Sequence, residues 1–213
     1  MIVIYGSSMS PFVRKAMVFA LEKGIEFEAQ PGGRRSPDPE FAKASPFGKV
    51  PAMKDGDFLL ADSTAMITYF DAIKPEPNLI PTEAKARATT VWYEEFADTI
   101  VAECGGRIFF TRVVGPKFLG MQTDPAVADA AQANDFPRLV DYLETRIPAS
   151  GYLVEDRFTL ADIAVASPFA TMALGGCPVN PETHPKTVAY LQAIFARPSF
   201  AGLIAKEKAM LAA

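Results

Sequence analysis

The grammar of this sequence changes once, at a proline-rich stretch, and that change limits the folds open to it more than any other feature. Lys74-Pro75-Glu76-Pro77-Asn78 and Pro81 interrupt all periodicity, as a connection between two packed units does. Before it, short apolar runs alternate with a helical pattern: Met1 to Tyr5, Phe12 to Lys23, Ile25 to Glu28, Val50 to Met53 and Phe58 to Leu60. Lys54-Asp55-Gly56-Asp57 reads as a hairpin turn, and Asp62-Ser63 stands where a helix N-cap belongs. This half therefore reads β-α-β, a loop, then β-β-α. Beyond the prolines nearly every segment has helical spacing: Ala84 to Gly105, Pro125 to Ile147, Leu160 to Leu174, His184 to Ala196 and Phe200 to Lys208. The expectation is an α/β N-terminal domain over residues 1–76, a linker at 77–83 and an all-α helical domain over 84–213.

Counting removes several chemistries. Asp and Glu outnumber Lys and Arg by 25 to 21, the wrong balance for a protein held on nucleic-acid phosphates. No uncharged apolar run is long enough to span a membrane, and the N-terminus lacks the basic and apolar regions of a signal peptide, so no membrane partner and a cytoplasmic location are expected. His184 is the single histidine, and Cys104 and Cys177 are isolated, so no metal site is expected. A Ser-His-Asp hydrolase would have to use His184, which lies in what reads as a helix start, and no G-x-S-x-G is present. The glycine patterns that cradle nucleotide phosphates are missing as well.

The segment richest in chemistry is Tyr5-Gly6-Ser7-Ser8-Met9-Ser10-Pro11-Phe12-Val13-Arg14-Lys15, a strand feeding directly into a helix. Capping alone accounts for Ser10 at N-cap and Pro11 at N1. The functional reading is that free N–H groups and the helix dipole stabilise an anion there and lower the pKa of a nearby thiol, while a hydroxyl donates to the thiolate. Val50-Pro51 opens a strand that its proline cannot extend by hydrogen bonding. Either it is an edge proline, or a cis bond turns the Val50 backbone outward to pair with an extended peptide. Asp62-Ser63 either caps its helix or holds the ammonium and carboxylate of an amino acid.

Five pieces in order resemble the cytosolic glutathione transferase family, in its bacterial, serine-type form: Ser10 to Lys15, Pro46-Phe47-Gly48-Lys49-Val50-Pro51, Ala61-Asp62-Ser63, Phe158-Thr159-Leu160-Ala161-Asp162-Ile163-Ala164 and Ala196-Arg197-Pro198-Ser199. The resemblance covers essentially the whole chain. It implies a thioredoxin-like N-terminal domain that binds glutathione and a helical domain that supplies the pocket of a hydrophobic, electrophilic small molecule. It also implies a homodimer built on the helix from Asp62 and the helix from Ala84. Residue by residue, Ser10 points at the glutathione sulfur, with Ser8 in reserve and Tyr5 third; Val50 pairs with the cysteinyl backbone beside a cis Pro51. Asp62 and Ser63 hold the γ-glutamyl end, and Lys49 lies near the peptide carboxylates. Asp62 replaces the glutamate common at this position, one methylene longer. Thr159 to Asp162 is the capping box of a buried helix.

With no cysteine in the first 103 residues, mixed-disulfide chemistry at the first helix is excluded, which leaves activation of glutathione's own thiol. Reduced glutathione is thus the expected co-substrate, with conjugation the expected reaction. The alternatives are a non-catalytic ligand- or partner-binding protein and a glutathione-dependent isomerase or dehalogenase. Met9, Phe12, Phe109 and Phe110 are the candidate lining of the electrophile pocket, the last two following an expected helix break at Gly105-Gly106. Arg34-Arg35 is a weaker candidate for the glycyl carboxylate.

Overall fold

Strand β1 (Ile2–Tyr5) is the organising element of the first unit in the computed structural model, which describes residues 1–34 and 36–212. It pairs in parallel with β2 (Phe27–Gln30) and antiparallel with β3 (Ala52–Asp55), which forms a hairpin with β4 (Phe58–Ala61), giving the order β2-β1-β3-β4. The parallel pair needs a crossover, and α1 (Pro11–Glu22) provides it. The β3–β4 turn falls at Gly56-Asp57, with Gly56 at φ +58°, a conformation glycine adopts without strain.

Side chains alternate across the strands. Val3 and Tyr5 of β1, with Ala52, Leu59 and Ala61, pack with Phe41 and Ala44 of the short helix α2 (Pro39–Ala44). That helix lies in the segment read from sequence as loop; Asp38 caps it, its carboxylate accepting from the Glu40 N–H, and Pro39 occupies its first turn. Helices α1 and α3 (Ser63–Ile73) pack against each other.

Helix α1 and the residue that ends it bury three cations, each with a partner of its own. Both Arg14 and Glu207 are 0% exposed, and the arginine's Nη2 lies 2.6 Å from the carboxylate. Lys15 Nζ donates to Thr64 Oγ1. Lys23 Nζ donates to Asp71 and to the Pro75 carbonyl. Glu207 belongs to the last helix, α10 (Pro198–Ala212), whose Ser199 also donates to Glu22 of α1. By its contacts the chain divides into Met1–Ile80 with Pro198–Ala213, and Pro81–Arg197. The last helix thus falls in the first unit, where the sequence reading placed it in a helical domain over 84–213. It buries Phe200 and Leu203 and supplies the counter-charge that the buried Arg14 needs.

The second unit holds the helices α4 (Ala84–Glu95), α5 (Ala102–Phe109), α6 (Pro125–Ala130), α7 (Phe136–Arg146), α8 (Leu160–Leu174) and α9 (Pro185–Phe195). Stretches Phe96–Val101, Phe110–Phe118 and Ala131–Asp135 are wound as π-helix. Gly105-Gly106 does not break the run as expected. Both glycines are helical, and a Cβ on Gly105 would stand 3.1 Å from Met172 Cγ, so the missing side chain permits close approach of α5 to α8.

Helix α8 is buried along nearly its whole length, and its start is fixed by a capping box. Asp162 accepts from the Thr159 N–H, the Leu153 N–H and the Tyr190 hydroxyl. Burial nevertheless pushes its carboxyl up to about 6.

Candidate functional site

The turn between β1 and α1 is built from its own serines. The Ser10 N–H donates to the Ser7 carbonyl at 3.0 Å, and the Met9 N–H reaches Ser7 Oγ at 3.4 Å. Ser10 holds extended backbone angles at N-cap and Pro11 begins the helix. The Ser10 side chain makes no capping bond, so its hydroxyl is not consumed by the helix it starts. The first turn of α1 carries no acidic residue, which leaves the positive end of its dipole uncompensated.

An open cavity of about 450 Å³ lies in the same unit, and Phe12, Lys49, Val50, Pro51, Asp62 and Ser63 share its wall. Six of the sequence-derived site residues therefore come together. The Val50–Pro51 bond is cis, and neither the N–H nor the C=O of Val50 is bonded within the described residues. Ser45 Oγ donates to the Lys49 carbonyl at 2.7 Å and holds this loop from inside. Asp62 stands at φ +85°, a conformation disfavoured for a side-chain-bearing residue and characteristic of functional sites. Its Oδ1 accepts from the N–H groups of Thr64 and Ala65, capping α3, and its own N–H donates to the Pro51 carbonyl. Ser63 is buried beside it.

Ser10 and the remaining candidates do not line that cavity. Met9 is buried at 7% exposure, and Ser8 lines a different cavity. Tyr5 packs against Phe41 with ring centroids 5.7 Å apart, and burial and then Asp38 push its phenol up. In the second unit Phe109 is a packed core residue, and Phe110 is 42% exposed. Arg34 lies against Gly48, where an added Cβ would meet its Cγ at 3.2 Å; Arg35 lies outside the described residues.

His184 contacts Thr183 Oγ1 and Asp141 Oδ1, each at 2.8 Å, a Thr-His-Asp order on paper. The N–H groups that could serve an oxyanion there, Lys186 and Thr187, are occupied by Glu144, and the cluster is the N-terminal fastening of α9. Cys104 is equally structural: burial, its largest influence, pushes the thiol up to about 11.

Gly6 escaped the sequence reading as a functional residue. It stands at φ +128°, and a Cβ there would lie 2.7 Å from Val13 Cγ2 and 3.1 Å from Val50 Cβ. It is the point where β1, α1 and the Val50 loop meet. Gly6→Ala is expected to cost about 2 kcal/mol or more, through backbone strain and displacement of Val50. Urea unfolding checks the first effect, and weaker glutathione binding in calorimetry checks the second.

A four-stranded βαβ-ββα unit with a cis-proline loop, an uncompensated helix N-terminus and a free backbone edge defines a thioredoxin-like module suited to an extended peptide thiol. Family models agree with it: "Glutathione S-transferase, N-terminal domain" matches residues 4–78, and "Glutathione S-transferase, C-terminal domain" matches 103–198. Glutathione S-transferase 3 of Zea mays is 31% identical over 95% of this chain and 92% of its own. A glutathione S-transferase of Hyoscyamus muticus is 32% identical over 94% and 96%. Among solved structures, a glutathione S-transferase from Rhodospirillum rubrum F11 superposes with a TM-score of 0.85 at 25% identity, over 95% of this chain and 91% of that one. The chain belongs to the glutathione S-transferase family.

Proposed function

We propose that this protein is a glutathione transferase that activates the thiol of bound glutathione with the Ser10 hydroxyl and the N-terminus of α1, for attack on a small apolar electrophile. The observation that carries this reading is the unspent Ser10 hydroxyl beside an uncompensated helix dipole. An ordinary thiol has a pKa of about 8.5, and both groups favour its ionised form. The thiolate attacks an electrophilic carbon, the new C–S bond replaces the bond to the leaving group, and the thiol proton passes to solvent.

The free N–H and C=O of Val50 suit the cysteinyl backbone of the tripeptide. Asp62 Oδ1 is occupied by the cap, which leaves Oδ2 for the γ-glutamyl ammonium, while the N–H and hydroxyl of Ser63 receive the carboxylate. Lys49 serves the glycyl carboxylate, with Arg34 beside that loop. Ser8 is the reserve donor; Met9 and Phe12 border the thiol on the apolar side. The relatives named above are themselves glutathione S-transferases, and their identity over most of this chain supports the same activity here.

Calorimetric titration tests the reading, with S-methylglutathione as the control ligand. Saturable binding at micromolar to low-millimolar concentration is expected, accompanied by conjugation of a model electrophile. Absence of heat at several temperatures would leave only the fold. Binding without turnover would make the chain a carrier.

We also infer a homodimer and a cytoplasmic location. No single helix among the described residues is long and apolar enough to cross a membrane. Ile73 of α3 and Val91 and Trp92 of α4 are each about half exposed, which suits a two-fold contact through those helices. Light scattering at micromolar concentration should give twice the chain mass.

A further inference from the structure

Ser45 ends α2 and commits each of its polar groups to the segment that leads to Val50. Its N–H donates to the Phe41 carbonyl at 2.8 Å and closes the last turn of the helix. Its carbonyl accepts from the Gly48 N–H at 2.9 Å, and its hydroxyl donates to the Lys49 carbonyl at 2.7 Å. Phe41 belongs to the core cluster with Tyr5 and Ala52, so residues 45–49 form a turn fastened to the core rather than a free connection. Ser45 shares the cleft wall with Lys49, Val50 and Pro51 but is only 3% exposed.

This anchoring sets the direction of a backbone donor. The Lys49–Val50 bond is not among the cis bonds of the described residues, so its peptide group is planar and trans, with C=O and N–H pointing opposite ways. The Ser45 hydroxyl holds the Lys49 carbonyl toward the inside of the loop. The Val50 N–H, on the same plane, is therefore turned outward, and it has no partner among the described residues. Rotation of that plane would swing carbonyl and N–H together.

We propose that Ser45 is a positioning residue for glutathione: by holding the Lys49 carbonyl, its hydroxyl fixes the plane of the Lys49–Val50 peptide and aims the Val50 N–H at the cysteinyl carbonyl of the bound tripeptide. Resting on the glutathione reading above, this role divides the work of one cleft. Ser10 acts on the sulfur, and Ser45 acts on the grip of the peptide backbone. Loss of the Ser45 hydroxyl therefore costs affinity and spares thiol activation.

The test is calorimetric titration of S-methylglutathione into the unaltered full chain and its Ser45 variants, with conjugation kinetics beside it. Ser45→Ala should raise both Kd and the KM for glutathione about tenfold, the scale of one misdirected hydrogen bond. At saturating glutathione kcat should change less than about twofold, and its pH profile should keep the inflection of the unaltered protein. Ser45→Thr, which retains the hydroxyl, should bring Kd back to within about threefold of the unaltered value. Ser45→Cys is close to serine in size but a weak donor, so it should bind more weakly than Ser45→Thr. Urea midpoints show which variants fold, and the cysteine variant carries the comparison if the alanine variant does not. Undiminished binding without the hydroxyl, an equal loss in Ser45→Thr, or a loss carried by kcat would overturn the role of Ser45 alone. Absence of binding to the unaltered protein would overturn this role together with the glutathione reading.

Discussion

Ser10→Ala is expected to lower kcat/KM for conjugation about 10²-fold while leaving stability nearly unchanged. The separation follows from an asymmetry in the structure: the hydroxyl makes no capping bond, so its removal takes nothing from α1. The cost of about 1 kcal/mol usual for losing a serine cap does not apply where the cap bond is absent. A hydrogen bond to a thiolate contributes about 1.5–3 kcal/mol, and its loss at a preorganised anion site reaches 10²-fold or more. The pH dependence has a definite sign. Without the donor the bound thiol titrates closer to its ordinary value of about 8.5. The variant is therefore weakest at neutral and acidic pH, where its thiol is protonated. The difference narrows above about 8.5, where both thiols are ionised. Ultraviolet titration of bound glutathione measures this directly. Equal thiolate pKa values in the two proteins would transfer the role to Ser8 or to the helix dipole alone.

Glu207→Ala is expected to destabilise the protein by about 3–5 kcal/mol, because it leaves the Arg14 guanidinium buried without its counter-charge. Arg14 is 0% exposed, so its guanidinium is shielded from water in the folded chain. The penalty is a large part of the 5–15 kcal/mol that typically holds a domain together. Replacing both partners with apolar residues, Arg14→Met with Glu207→Leu, should recover most of the loss, since the burden is the unpaired charge rather than the missing contact. Denaturant midpoints of the two single variants and the double variant measure this. A double variant no more stable than Glu207→Ala would mean that the pair stabilises α1 in a way apolar packing cannot replace.

The proline-rich break, the alternation of apolar runs and the punctuation at Ser10-Pro11 and Asp55-Gly56 were legible because each acts within a few residues. Local sterics and capping decide such features, and the structure has them in the expected places. The cleft was legible for a related reason: Val50-Pro51 and Asp62-Ser63 are short pieces whose backbone chemistry travels with the sequence, and they share one wall. The α2 helix was within reach too, through Asp38-Pro39-Glu40, a start signal beside two stronger segments.

What the sequence could not carry depends on distance along the chain. Arg14 and Lys15 read as ordinary helix charges until the fold brings Glu207 and Thr64 to them, in the first case from 193 residues away. Gly105-Gly106 reads as a break until Met172 occupies the space that a side chain would take. Gly6 reads as one small residue among several until Val13 and Val50 close on it. Local pattern thus determined which elements form and which short segments line the cleft. Tertiary structure alone decided which charges are buried, where glycine is obligatory and to which unit the last helix belongs, because desolvation and steric exclusion depend on neighbours that only the folded chain supplies.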